Sequence, residues 1–185
     1  MFVRSLAIGV SAAALMVGGA QAADLIIPTT PQPIMQTSSG FDWEGLYIGA
    51  RAGALFADDV TVGAVGAVAG VNFIPADPIL VGVEVSGDYV FGDDIVENFG
   101  EFFANARVGA IVTDSALVYA LAGVGFRTND DDSVAVYQLG GGVEFAVTDA
   151  ITVRGELVGQ GEFEDGGDDD FFTNAKATVG VFYHF

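Results

Sequence analysis

The chain has 185 residues, 51% of them hydrophobic, yet its formal net charge is −19, with 25 Asp and Glu against 6 Lys and Arg and no cysteine. That balance excludes nucleic acid as a natural partner, and the lack of cysteine rules out a disulfide framework. Beyond the amino terminus no segment runs to about eighteen uninterrupted apolar residues, so membrane-spanning helices are excluded as well.

In chain order, Arg4 supplies a positive start, Leu6 to Gly19 is an apolar stretch too short to span, and Ala20-Gln21-Ala22 is a small-x-small cleavage site. Residues 1–22 therefore read as a signal peptide, and export implies an oxidising compartment. Residues 23–40 hold Pro28, Pro31 and Pro33 among Thr, Gln and Ser. This composition predicts an extended or disordered periplasmic tail. Residues 41–185 form the remaining domain.

Within that domain, side chains alternate apolar and polar in eight segments, near 44–56, 61–73, 79–91, 101–112, 117–127, 134–147, 151–163 and 171–185. Period two is the mark of a strand with two unlike faces. Each segment is about as long as a tilted bilayer-crossing strand. Pro75 and Pro78 are expected in the turn after the second segment, since proline removes a ladder donor. The last segment is the clearest: Ala175, Ala177, Val179, Val181, Tyr183 and Phe185 alternate with Asn174, Lys176, Thr178, Gly180, Phe182 and His184. An edge strand of a soluble sandwich is the competing reading of that run. The fold predicted for the whole domain is an all-β, eight-stranded antiparallel up-and-down transmembrane β-barrel. An even strand count leaves both chain ends in the periplasm.

Three assignments of faces bear on this. The cations Arg51, Arg107, Arg127, Arg154 and Lys176 all fall on the polar row of their strands, as do Glu84, Asp88, Glu144, Glu156, Asn105, Gln138 and Thr178. A lipid-facing arginine at midplane costs about 2–4 kcal/mol, so this row is expected to line a packed, ion-paired lumen. Phe56, Phe91, Phe102, Phe126, Tyr137, Phe163 and Phe171 gather at one end of the apolar row. Phe73, Phe145, Tyr183 and Phe185 gather at the other, with Trp43 beside the first strand. Two such belts match interfacial girdles, whereas a sandwich core would hold its aromatics mid-strand. Finally, the short turns carry single acids, Asp77, Asp114 and Asp149. The other connections carry Asp58, Asp59, Asp93, Asp94, Glu97, Glu101, Asp130, Asp131, Asp132, Glu164, Asp165, Asp168, Asp169 and Asp170, an acidic crown expected outside the cell.

Several stretches resemble an alphaproteobacterial outer-membrane barrel family that includes small surface antigens and opacity-like proteins. They are Trp43-Glu44-Gly45-Leu46-Tyr47-Ile48-Gly49, Gly82-Val83-Glu84, Arg107-Val108-Gly109, and Gly140-Gly141-Gly142-Val143-Glu144-Phe145 with Thr148-Asp149 and Arg154-Gly155-Glu156. The ending Gly180-Val181-Phe182-Tyr183-His184-Phe185 is similar to the C-terminal signal of such barrels. The resemblance implies an outer-membrane location and recognition of Val181, Tyr183 and Phe185 by the barrel-assembly machinery. The chain departs from the family in its short acidic loops and in Leu157, where an aromatic often follows the glutamate.

Catalysis needs a nucleophile with a base in reach. The one histidine, His184, sits at the end of the last strand, and Ser86, Ser115 and Ser133 lack evident partners. Glu144 and Glu156 share their row with Arg and Lys, so ion pairing accounts for them better than acid–base work. No enzyme activity and no cofactor are expected. Eight strands enclose a space that side chains fill. The lumen-row glycines Gly49, Gly53, Gly66, Gly70, Gly109, Gly123, Gly125, Gly140, Gly142 and Gly180 either leave a thin wet channel or make room for Tyr47, Tyr119, Phe103 and Phe182, and the second is expected. Asp130, Asp131, Asp132, Asp168, Asp169 and Asp170 offer hard oxygen ligands, but their spacing matches no calcium loop. The role expected is structural, at the envelope surface, with outer-membrane lipid, lipopolysaccharide and divalent cations as partners. A narrow cation-preferring channel and a surface adhesin or ligand-binding barrel are the alternatives.

Overall fold

The structure, a computed structural model, describes residues 40–57, 60–91, 98–129, 133–163 and 171–185. The expected signal peptide lies outside the described residues. So do the tail up to residue 39 and most of the acidic crown, including Asp130 to Asp132 and Asp168 to Asp170.

Eight strands follow one another: β1 (Gly45–Ala57), β2 (Val60–Ala76), β3 (Ile79–Phe91), β4 (Phe99–Thr113), β5 (Ala116–Thr128), β6 (Ser133–Ala146), β7 (Ile151–Glu162) and β8 (Asn174–His184). Each pairs antiparallel with the next, and β8 returns to β1 in register from Tyr47↔His184 to Phe56↔Ala175, closing the barrel. Closure leaves no unpaired strand edge, which an open sheet of this hydrophobicity would expose. Most of the predicted strand bounds agree with these within two residues.

The connections at one end are tight. Asp77–Pro78, a cis peptide, joins β2 to β3, and Asp114–Ser115 joins β4 to β5. In the β6–β7 connection, Thr148 Oγ1 accepts from the backbone N–H of Ala150 at 3.3 Å and of Ile151 at 3.0 Å. Both chain ends of the barrel lie at this turn end. Pro75 falls within β2 and not in the turn, a departure from the sequence expectation. It sits where the β2–β3 register shifts between Phe73 and Ala76, a place where a missing donor costs no ladder bond.

The alternation has its physical consequence in which side chains meet solvent or lipid. Outward rows hold only apolar, aromatic, Gly, Thr and Ser side chains, apart from Pro75 at the β2 bulge; none carries a charge. Val85, Val124, Leu157 and Val179 stand exposed along the wall. From Leu46 to Phe56, ten residues of tilted strand, the outward surface spans about 25 Å along the axis. Aromatic rings bound it. At the loop end Phe102 stacks on Phe126 at 5.2 Å, Tyr89 meets Phe91 edge-on at 5.2 Å, and Tyr137 lies 5.2 Å from both Phe163 and Phe171. Phe73, Phe145, Tyr183 and Phe185 mark the turn end.

Trp43 is the exception among the belt residues. It is 1% exposed and lies inside the barrel mouth, not in a girdle. Residues 41–43 precede β1, so strand parity does not govern them. Phe41 N–H donates to Asp114 O at 3.0 Å and Asn72 Nδ2 donates to Trp43 O at 3.1 Å, which ties this short strap across the mouth. Trp43 then packs with Leu80, Leu117, Tyr119, Leu121 and Val158, backed by Phe41, Ile74, Ile111 and Ala146. At the loop end a second inward apolar cluster comprises Leu55, Val62, Ala64 and Val90, with Val60 and Phe99 against it. The inward row thus carries an apolar cluster near each mouth, on the β1–β4 side alone at the loop end, where Arg127 and Glu162 hold the β5 and β7 side.

Candidate functional site

The charged layer between those two clusters is the chemically distinctive part of the molecule. Every residue expected to line the lumen does so: Arg51, Glu84, Asp88, Arg107, Glu144, Arg154, Glu156 and Lys176 are buried, with Arg127 part-buried at the loop end. Asn105, Gln138, Thr178 and His184 are buried beside them, and Tyr119 faces inward. A buried charge is tolerable only when paired, and each cation here touches two carboxylates.

In the loop-end half, the Arg51 guanidinium forks onto Asp88 (Nε to Oδ1 2.9 Å, Nη2 to Oδ2 2.6 Å) and extends Nη1 to Glu156 Oε1 at 3.0 Å. Lys176 Nζ bridges Asp88 Oδ2 and Glu101 Oε2, both at 2.8 Å. Arg127 continues from Glu101 at 3.0 Å to Glu162 at 3.1 Å. The result is an alternating line of charge, from Glu162 through Arg127, Glu101, Lys176, Asp88 and Arg51 to Glu156.

In the turn-end half, the charges form a ring. Arg154 reaches Glu84 at 2.8 Å and Glu144 at 2.9 Å, and Arg107 reaches the same two at 3.9 Å and 3.3 Å. Two tyrosines join in, and Tyr119 links the halves. Tyr47 donates its hydroxyl to Glu84 at 2.7 Å and Tyr119 donates to Glu156 at 2.6 Å. Both rings also lie beside the Arg107 and Arg154 guanidiniums, and Phe182 sits 3.8 Å from Arg154 Cζ. A guanidinium prefers such faces because it is weakly hydrated and its charge is spread over a plane.

These rings fit because glycine stands opposite them. A Cβ on Gly49 would collide with the Phe182 ring, on Gly70 with Tyr47, on Gly142 with Tyr119 and on Gly125 with Phe103. The glycines therefore pack a narrow barrel instead of opening a channel beside the rings.

Sequence reasoning missed several members of the network. Glu101 was expected in the crown, yet it is 0% exposed and holds both Lys176 and Arg127. The correction is one of parity: Glu101 shares odd numbering with Phe103, Asn105 and Arg107, so β4 turns it inward. Glu162 likewise falls on the row of Glu156 and Gln160. Asn72, Thr152 and Gln160 were not singled out; Asn72 accepts from Arg107 Nε at 3.1 Å.

At the turn-end mouth, His184 Nε2 lies 3.2 Å from both Thr152 Oγ1 and Glu144 Oε1. The three residue types suggest a nucleophile, base and acid, but the wiring differs. Thr152 donates its hydroxyl proton to Glu144 Oε1 at 2.6 Å, so that proton is not offered to the imidazole. Glu144 also accepts from two arginines. Glu144 is thus held as the shared acceptor of the ion-paired ring. Among the described residues no cluster of His, Asp and Glu is arranged to hold a metal.

No family model matches the chain, and no curated protein matches it in sequence. Solved structures do match in fold. The N-terminal β-barrel domain of Pseudomonas aeruginosa OprF superposes with a TM-score of 0.53 at 17% identity, covering 75% of this chain and 97% of that one. Neisserial surface protein A gives 0.54 at 12% identity, covering 76% and 97%. The outer membrane enzyme PagL gives 0.51 at 12% identity, covering 75% and 99%. At such identities the likeness establishes the eight-stranded barrel fold of outer-membrane proteins and nothing narrower.

Proposed function

We propose that this chain is an integral outer-membrane barrel with a structural and surface role in the bacterial envelope, and no catalysis. The observation that carries this reading is the inverted charge pattern: uncharged, apolar outward rows between two aromatic belts, with the Arg and Lys ion pairs of the described strands on the inward rows. That arrangement suits a hydrocarbon surround and suits no aqueous one. The turn end faces the periplasm, where the tail begins, and the loops face outward. Membership in the alphaproteobacterial surface-antigen family belongs to the same proposal and rests on the motifs from Trp43 to Phe185. The exposed Tyr183 and Phe185 rings, 5.1 Å apart on the outer wall, suit recognition of Val181, Tyr183 and Phe185 by the assembly machinery.

A structural role is favoured over a channel because apolar clusters stand in the lumen near each mouth and each cation there occupies two carboxylates. Purified barrel in planar bilayers is expected to give no discrete conductance steps. Regular cation-selective steps would replace the structural reading with the channel.

All five Lys and Arg of the barrel lie in the lumen, so its solvent-facing ends carry acids alone among the described residues. Contact with anionic lipopolysaccharide then calls for divalent cations as bridges to the acidic loops. In lipopolysaccharide-containing micelles, magnesium is expected to raise the melting temperature relative to chelator. Equal melting in both would remove the bridging idea.

A further inference from the structure

We infer that the inner wall between β3 and β4 holds a buried water site built from Glu84, Ser86 and Asn105. Glu84 Oε1, Ser86 Oγ and Asn105 Nδ2 are buried polar atoms that no protein atom satisfies. Glu84 and Asn105 face each other directly in the β3–β4 register, and Ser86 is the next inward residue along β3. Opposed inward pairs hold their Cβ atoms about 4.5–5.5 Å apart and diagonal ones about 7–8 Å, separations that one small molecule spans.

The remaining valences select the ligand. Glu84 Oε2 already accepts from Tyr47 and Arg154, and Asn105 Oδ1 accepts from Gln138 Nε2 at 2.6 Å. What is left is a carboxylate acceptor, an amide donor and a hydroxyl able to do either. Water alone matches that set: it donates to Glu84, accepts from Asn105 and makes its third bond to Ser86, the usual number for a buried water. A metal ion would meet the Asn105 N–H donor. Gln160 donates to the Glu101 carboxylate, and this fixes Gln138 and then Asn105 in turn, so Asn105 presents its NH2 to the site.

The water would also give the two halves of the lumen a second link, beside the one through Tyr119. Asn105 begins an amide chain through Gln138 to Gln160, which donates to Glu101 Oε2 at 3.3 Å. Bridging Asn105 to Glu84 connects that chain, and through Glu101 the loop-end line of charge, to the turn-end ring.

Nuclear Overhauser spectroscopy on the folded mature chain in micelles tests this. The Asn105 side-chain amide is expected to show a long-lived-water cross-peak, lost in Ser86→Val, whose methyl groups occupy the site. No cross-peak in the wild type, or one unchanged in Ser86→Val, would overturn the proposal. If Ser86→Val does not fold, a wild-type crystal structure resolving waters decides. Density within hydrogen-bonding reach of all three atoms supports the site, and a direct Asn105–Glu84 hydrogen bond removes it.

Discussion

Replacing Arg154 with methionine is expected to destabilise the barrel by about 3–5 kcal/mol, the cost of leaving buried carboxylates without their cation. Arg154 bridges Glu84 and Glu144 in the turn-end ring and lies against the Phe182 ring. Its loss leaves Arg107 alone between two acids. Guanidinium unfolding in micelles, followed by the mobility shift of unboiled against boiled protein, measures the change. The comparison is Arg127→Met, whose side chain is 18% exposed and whose partner Glu162 is 35% exposed. Water compensates there, and the loss is expected to be nearer about 1 kcal/mol. Equal, small effects at both positions would mean that the lumen is wet and its ion pairs screened.

The second large effect lies on the opposite face. Val85 is 60% exposed in the middle of the outer wall. On a water-soluble protein, an exposed valine on a strand accepts arginine with little change, within about 0.5 kcal/mol. In a bilayer, Val85→Arg is expected to cost about 2–4 kcal/mol, and less if moved towards either aromatic belt. Folding titrations into lipid vesicles, with Val85→Arg set beside Thr61→Arg at the loop end of β2, separate the two cases. A flat response along the wall would mean that the surface meets water.

Both expectations come from features that the sequence displays openly. Alternation fixes a strand's faces without knowledge of its neighbours, so Arg51, Arg107, Arg154 and Lys176 could be placed inside one strand at a time. Strand ends were legible too, because acids and prolines interrupt the alternation. What local pattern does not carry is contact across the barrel. That Arg154 of β7 meets Glu84 of β3, 70 residues away, depends on closure and stagger. Trp43 escaped because the strap before β1 has no alternating neighbours to assign its face; its burial follows from Asn72 and Asp114 on other strands. Glu101 escaped for the opposite reason. Its proximity to Glu97 outweighed a parity that pointed inward.

The inward apolar clusters show a further limit of two-face reasoning. Leu80, Leu117, Leu55 and Val90 sit on rows read as polar because of their charged neighbours. Their place has a physical basis: ion pairs gain most when water is kept away, and these apolar side chains help to keep it from the buried pairs. At the loop end the cover is partial, because Arg127 and Glu162 hold the β5 and β7 side of the mouth. Glycines let four bulky rings complete the packing.

Grease outside and charge within define the molecule, and vesicle flotation tests that pattern most directly. After detergent is removed in the presence of liposomes, the mature protein is expected to rise with the lipid on a density gradient, still running as the compact unboiled form. Recovery of folded, heat-shifting protein at the bottom of a lipid-free gradient, dissolved without detergent, would contradict it.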